Sequence, residues 1–136
     1  MSKPYIHAQI DAKQLGGEPD DYIEIHEFMD SSKAALPDFR HRTLTHNIWF
    51  ITVVLPRVSG EAFRRKSDGK RMSTRDIGER HVAQDFHGFI PTAQDYLAEM
   101  EVKPWMMNGQ GSPPSMAKIT HRKSKPKPKT DEYRKA

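Results

Sequence analysis

The chain reads as a mainly α-helical protein: a compact domain of about five helices with one short β-hairpin, followed by an extended basic tail. Three observations predict this. Apolar residues recur at helical spacing through most of the first hundred residues. Capping residues and glycine or proline stops divide that pattern into segments of about a dozen residues. A single Asp-Gly turn, Asp68-Gly69, sits between two short runs and marks the hairpin.

Pro4 to Leu15 places Ile6 and Ile10 on one side of a first helix, which Gly16-Gly17 ends. After Pro19, Asp20 or Asp21 is placed to cap a second helix reaching about Ser32, with Tyr22, Ile25 and Met29 on a shared face. Pro37 opens a third segment, apolar on every side from Ile48 to Leu55 and stopping at Pro56. Its β-branched residues suit a strand, but the helical spacing upstream favours a long, central, buried helix. Glu61 to Ser73 carries the hairpin, whose tip is basic. Ser73 or Thr74 then caps a fourth helix to about Phe86, Gly88 ends it, and Pro91 or Thr92 begins a fifth to about Met100.

Charge divides the chain. Residues 1–102 carry 13 Lys/Arg against 16 Asp/Glu, whereas 103–136 carry 9 against 2. From Asn108 onward the composition is Pro, Gly, Ser and Lys, which favours extended, solvated backbone. The expected boundaries are therefore a helical domain at 1–107 and a Pro/Lys-rich tail at 108–136, disordered unless bound. The alternating Lys125-Pro126-Lys127-Pro128-Lys129 suits tracking a polyanion. No run has the length of a membrane span, and the N-terminus lacks a signal peptide's apolar stretch, so the expected location is the cytoplasm, with no membrane partner. The chain has no cysteine, which excludes disulfides, thiolate metal clusters and cysteine nucleophiles and leaves His and carboxylate as metal ligands.

Three of the seven histidines have Asp four residues later: His7/Asp11, His26/Asp30 and His81/Asp85. With ten Asp in 136 residues, chance supplies about half of one such pair at this helical neighbour spacing. On a helix each pair leaves one face, so the carboxylate orients the imidazole or both ligate one metal. At about 100° per residue, His81 and Asp85 fall between Ile77 and the Val82/Phe86 side, and His26 and Asp30 between Tyr22 and Ile23, inside the apolar arcs. Asp38, His41, Arg42 and His46 approach from a third direction. The candidate ligands are His26, Asp30, His41, His46, His81 and Asp85, for Zn, Mn, Fe or Mg. The alternative is hydrogen-bonded His–Asp pairs with no metal.

The chain also resembles a family of small uncharacterised bacterial and phage proteins classed as a domain of unknown function. The likeness lies in His7-Ala8, Gly16-Gly17, Asp21-Tyr22, Ile25-His26 through Asp30-Ser31-Ser32-Lys33, Asp38 through Arg42, and His46. It continues through Ser67 to Lys70, Arg75 to Glu79, His81-Val82, Asp85, Ile90-Pro91-Thr92, Asp95-Tyr96-Leu97 and Pro104-Trp105-Met106. It covers about residues 5–107 and implies a phage or prophage-type accessory protein, with the tail outside it. The His, Asp and helix content is similar to the HD metal-dependent phosphohydrolases, although no adjacent His-Asp dipeptide occurs here. Walker, dinucleotide-binding, nucleophile-elbow and zinc-protease motifs are absent from the sequence.

Two functions are expected from this. The foremost is a non-enzymatic accessory protein docking on nucleic acid, a nucleoprotein complex or a protein partner, with no cofactor. Its contacts would come from Arg64, Arg65, Lys66, Lys70 and Arg71 of the hairpin and Arg122, Lys123, Lys125, Lys127 and Lys129 of the tail. The alternative is a metal-dependent hydrolase, acting on a phosphoester through the His/Asp cluster, with Arg40 or Arg42 holding phosphate.

Overall fold

The computed structural model describes residues 3–107. The tail cations Arg122, Lys123, Lys125, Lys127 and Lys129 lie outside the described residues, as does His121. The chain falls into two units, one reaching Glu99 and one beginning at Met100. The first is mainly helical, with six α-helices and one antiparallel two-stranded hairpin among the described residues. Residues 100–107 of the second carry one 3-10 turn, Pro104–Met106. Among the described residues no helix is long and apolar enough to cross a membrane.

Helix α1 spans Pro4–Leu15, with the proline at the start of the helix and Gly16 ending it at φ +95°. Its inward face is not the one the apolar residues suggest. His7, Ala8 and Asp11 are buried, while Ile6 is 43 % exposed. The polar face wins because the groups opposite it pair with Asp11 at both oxygens and with His7 at Nδ1.

A 3-10 turn, Pro19–Asp21, leads into helix α2, Ile23–Met29, and a second turn, Ser31–Ala34, follows it. Tyr22, Ile25 and Met29 are buried together as expected. The helix is shorter than the spacing implies because Asp30 leaves the helical path at φ −99°, ψ 5°.

The third segment is broken rather than one long helix. A 3-10 turn at Phe39–His41 runs into helix α3, Arg42–Thr45; the chain then bends at His46 and resumes through a π-helical turn, Phe50–Val54, into helix α4, Leu55–Ser59. Asn47 makes the break stable: its Oδ1 accepts from the Phe50 backbone N–H at 2.9 Å and its Nδ2 donates to the Thr43 carbonyl at 3.1 Å. That is an N-cap for the second piece. Pro56 does not stop the helix, since the wider π turn just upstream absorbs its missing donor and Gly60 ends the element at φ +82°. Nor is the run apolar on all sides in its surroundings: Phe50, Ile51 and Leu55 are buried but Trp49 is 55 % exposed.

Strands β1 (Ala62–Arg64) and β2 (Arg71–Ser73) pair with Phe63 opposite Met72, and Gly69 supplies the φ of +75° that the tip requires. Ser73 then caps helix α5, Thr74–Asp85, accepting from the Asp76 N–H at 3.3 Å. Gly78 lets α5 lie against α4, because a Cβ there would stand 2.5 Å from Leu55 Cδ2. Helix α6, Ala93–Leu97, begins at a Thr92/Asp95 capping box and ends short of Met100. The apolar core is Ala8, Tyr22, Ile25, Met29, Phe50, Ile51, Leu55, Ile77 and Val82, drawn from α1, α2, the π turn, α4 and α5. Beside it lies a second, polar interior.

Candidate metal centre

The polar interior collects five histidines, His7, His26, His41, His46 and His81, all fully buried, together with Asp11, Asp30 and Asp85. Of the three pairs at i,i+4 spacing only His81 and Asp85 approach each other, at 3.6 Å, and the shorter contacts of all three run between helices. Each helix hands its imidazole to a carboxylate of another: His26 Nε2 meets Asp11 Oδ2 at 2.5 Å, His81 Nε2 meets Asp30 Oδ1 at 3.1 Å, and His7 Nε2 meets Asp85 Oδ1 at 3.3 Å. His46, from the bend after α3, places Nε2 2.9 Å from Asp85 Oδ2. The spacing thus works between helices, stitching α1, α2 and α5 together.

Four of the six sequence candidates form one compact set: a ligand atom from each of Asp30, His46, His81 and Asp85 lies within 4.8 Å of all the others. A second set joins His7, His26 and His81. His41 stands apart from both among the described residues. Its Nδ1 pairs with Ser32 Oγ at 2.7 Å, and Ser32, Thr45 and His46 Nδ1 continue that chain at 3.0 and 2.8 Å, so His41 supports His46 from behind. Of the two arginines considered for phosphate, Arg40 is tied to Asp38 at 2.8 Å on the surface, whereas Arg42 reaches 3.5 Å from Asp85 Oδ1.

Hydrogen-bond accounting identifies which nitrogens carry protons. Asp11 accepts from Arg80 Nε at 2.6 Å and Gln84 Nε2 at 3.2 Å as well as from His26, so His26 is protonated at Nε2 and presents a lone pair at Nδ1. His81 Nδ1 lies 2.9 Å from that atom and must donate to it, which leaves His81 Nε2 as a lone pair facing Asp30 and Asp85. Gln84, having turned its amide nitrogen to Asp11, turns its oxygen to His7 Nδ1 at 2.7 Å. His7 therefore carries a proton at Nδ1, and its Nε2 faces a carboxylate oxygen of Asp85 at 3.3 Å. His7 Nε2 and Asp30 Oδ2 are both buried with no hydrogen-bond partner among the described residues. Nitrogen and carboxylate lone pairs directed at one another are repulsive unless a cation lies among them.

Protonation does not supply that cation readily. Burial, with His7 and His46 nearby, pushes His81 down to about 3 despite its contact with Asp30. Burial likewise lowers His26 and His41. Burial opposes charge on Asp30 and Asp85, yet the imidazoles beside them, His81 at the one and His46 and His7 at the other, hold both carboxyls below their usual range. Only His7 moves the other way: burial disfavours its charge, but its contacts with Asp85 and Gln84 raise it above the ordinary imidazole value. Two imidazoles and two ionised carboxylates are a donor set suited to Zn, Mn or Fe. His26, with both nitrogens engaged by Asp11 and His81, orients the set rather than joining it. His7 and Asp11, absent from the ligand candidates, belong to the same arrangement; their i,i+4 spacing was the available signal, masked by Ile6 and Ile10 on the other side of α1.

Residues 2–106 match the family described as a domain of unknown function, DUF6915. The chain belongs to this family. No curated protein and no solved structure matches it. The matched region of this DUF6915 member contains every residue of the His/Asp interior.

The basic hairpin is less uniform than its sequence implies. Arg65 is only 6 % exposed: it donates to the Leu15 carbonyl and Tyr22 hydroxyl at 3.0 Å each and is bound by Asp68. It fastens the hairpin to the end of α1 and is not available to an external ligand. Arg64, Lys66, Lys70 and Arg71 are exposed.

Proposed function

We propose that the protein is a metal-dependent hydrolase acting on a phosphoester. The observation that carries this is the lone pair of His81 Nε2, directed at the Asp30 and Asp85 carboxylates inside a buried interior. Asp30, His46, His81 and Asp85 would hold a divalent cation. When bound there, such an ion supplies a nucleophilic hydroxide at neutral pH and offsets charge on phosphoryl oxygen.

The chain's own residues complete the chemistry. Asp85 is the ligand that also lines an open recess at the surface, so substrate approaches from that side. Arg42 beside Asp85 and Lys33, 3.6 Å from Asp30, place two cations at the rim, where they draw a phosphate dianion inward. The Arg42 Nε–H is buried with no partner among the described residues, a donor that an anion drawn in beside it would satisfy. His7 accepts a proton at Nε2, and its upward-shifted pKa suits a base working near neutrality. The test is hydrolysis of bis(4-nitrophenyl) phosphate and 4-nitrophenyl phosphate with Mn²⁺, Zn²⁺, Fe²⁺ or Mg²⁺. The reading requires turnover that EDTA abolishes and His46→Ala lowers at least a hundredfold; no turnover with any of these ions would overturn it.

A second reading, docking on nucleic acid, draws on the four exposed hairpin cations Arg64, Lys66, Lys70 and Arg71. Affinity for duplex DNA that falls steeply with salt, and falls again when these four become Gln, would support it. Salt-independent or absent binding would remove it.

A further inference from the structure

Beside the cluster, residues Phe86, His87, Phe89, Pro91 and Tyr96 surround an open recess of about 470 Å³ whose inner wall includes Asp85. Its walls are largely aromatic, and apart from the His87 imidazole and Asp85 its polar side chains have partners. Asp95 accepts from the Thr92 N–H and hydroxyl at the start of α6, and the Tyr96 hydroxyl donates to the His46 carbonyl at 2.8 Å. Arg42 lies over the Phe86 ring, 5.1 Å from its centroid, and so spans the junction between the recess and Asp85. Phe89 is 57 % exposed and presents its ring to whatever enters.

We infer that this recess receives the organic part of the substrate, a flat aromatic ring carried by the phosphoester, while Arg42 holds the phosphate at Asp85. This rests on the phosphoester reading above and adds the substrate class. The ring is held by stacking and apolar burial, because few free donors or acceptors remain to read its edges. Phosphate and ring are complementary to the two halves of one surface: anion to Arg42, ring to Phe86, Phe89 and Tyr96. Charge alone would accept any phosphoester, and the aromatic wall is what discriminates.

The probes are phenylphosphonate and methylphosphonate, which keep the anion and resist hydrolysis, each titrated into the full chain by calorimetry with Mn²⁺ present. Phenylphosphonate is expected to bind about tenfold more tightly, the value of one good stacked contact. In Phe89→Ala the ratio should fall towards one. Since Phe89 is exposed, that variant keeps the core intact, and its helical circular dichroism verifies folding. Turnover of phenyl phosphate against adenosine 5′-monophosphate then separates a simple aryl group from a nucleobase as the source of the ring. Equal affinity for the two phosphonates would overturn the inference while leaving metal-dependent hydrolysis standing. Failure of both to bind, with no hydrolysis, would overturn both readings.

Discussion

Asp85→Asn separates a metal centre from a structural ion-pair network. The side chain touches His46 at 2.9 Å, His7 at 3.3 Å, Arg42 at 3.5 Å and His81 at 3.6 Å. With an ion at a hundred times its Kd, binding stabilises the native chain by about 2.7 kcal/mol. For a domain near one hundred residues this raises Tm by roughly 10–20 °C. The substitution replaces an anionic ligand by a weak neutral one, and an affinity loss of about a hundredfold reduces that gain to about 0.4 kcal/mol, or roughly 2–3 °C. The metal-free proteins differ as well. Asp85→Asn removes the anion that His46, His7 and Arg42 surround, so it should melt below the wild type even after EDTA, and the size of the metal-induced shift in each protein is what identifies a ligand. Differential scanning fluorimetry with and without Mn²⁺ reads both quantities. An unchanged metal-induced shift refutes the reasoning.

Gly78→Ala places a methyl 2.5 Å from Leu55 Cδ2, and overpacking of about 1–3 kcal/mol outweighs the roughly 1 kcal/mol gained in helix propensity; a urea midpoint equal to or above the wild type would contradict the α4–α5 packing. Asn47→Ala removes the cap at the break and leaves the buried Phe50 N–H unpaired, costing about 2 kcal/mol; a neutral result by urea denaturation would mean the bend does not depend on that cap. In EDTA, stability should fall as pH drops from about 6.5 towards 3, because the unfolded chain takes up a proton that folded His81, at about 3, refuses. His26 and His41 act in the same direction, and His7 opposes them. Below about 4 the lowered carboxyls of Asp11, Asp30 and Asp85 add to the loss as they protonate. Urea midpoints equal at about pH 7 and about pH 4.5 would contradict this.

Helix positions were legible wherever capping residues and apolar spacing agreed. Pro4 and Gly16 bound α1, Ser73 opens α5, and Asp68-Gly69 turns the hairpin, all as the sequence implies. The break at His46-Asn47 was not read, although Asn before an apolar run is itself a capping signal. Continuous β-branched and aromatic residues obscured it, since they suit a buried helix and a strand equally. The face of α1 was misread for a different reason: apolar periodicity identifies what packs against carbon, and this protein has a second interior built of imidazole and carboxylate. The pattern of three His–Asp pairs did locate that interior. It did not reveal that partners exchange between helices, because that depends on crossing geometry rather than spacing. Arg65 looked like its basic neighbours; only the adjacency of the hairpin to Leu15 and Tyr22 distinguishes it.

The buried lone pair of His81, facing the carboxylates of Asp30 and Asp85, requires a cation. Elemental analysis of the untagged protein, purified without chelator and dialysed into metal-free buffer, tests it most directly. The account predicts near-stoichiometric Zn, Mn or Fe, retained by the wild type and lost together in His46→Ala and His81→Ala. A fully folded protein carrying less than about a tenth of an equivalent, and showing no rise in Tm when these ions are added back, would contradict it.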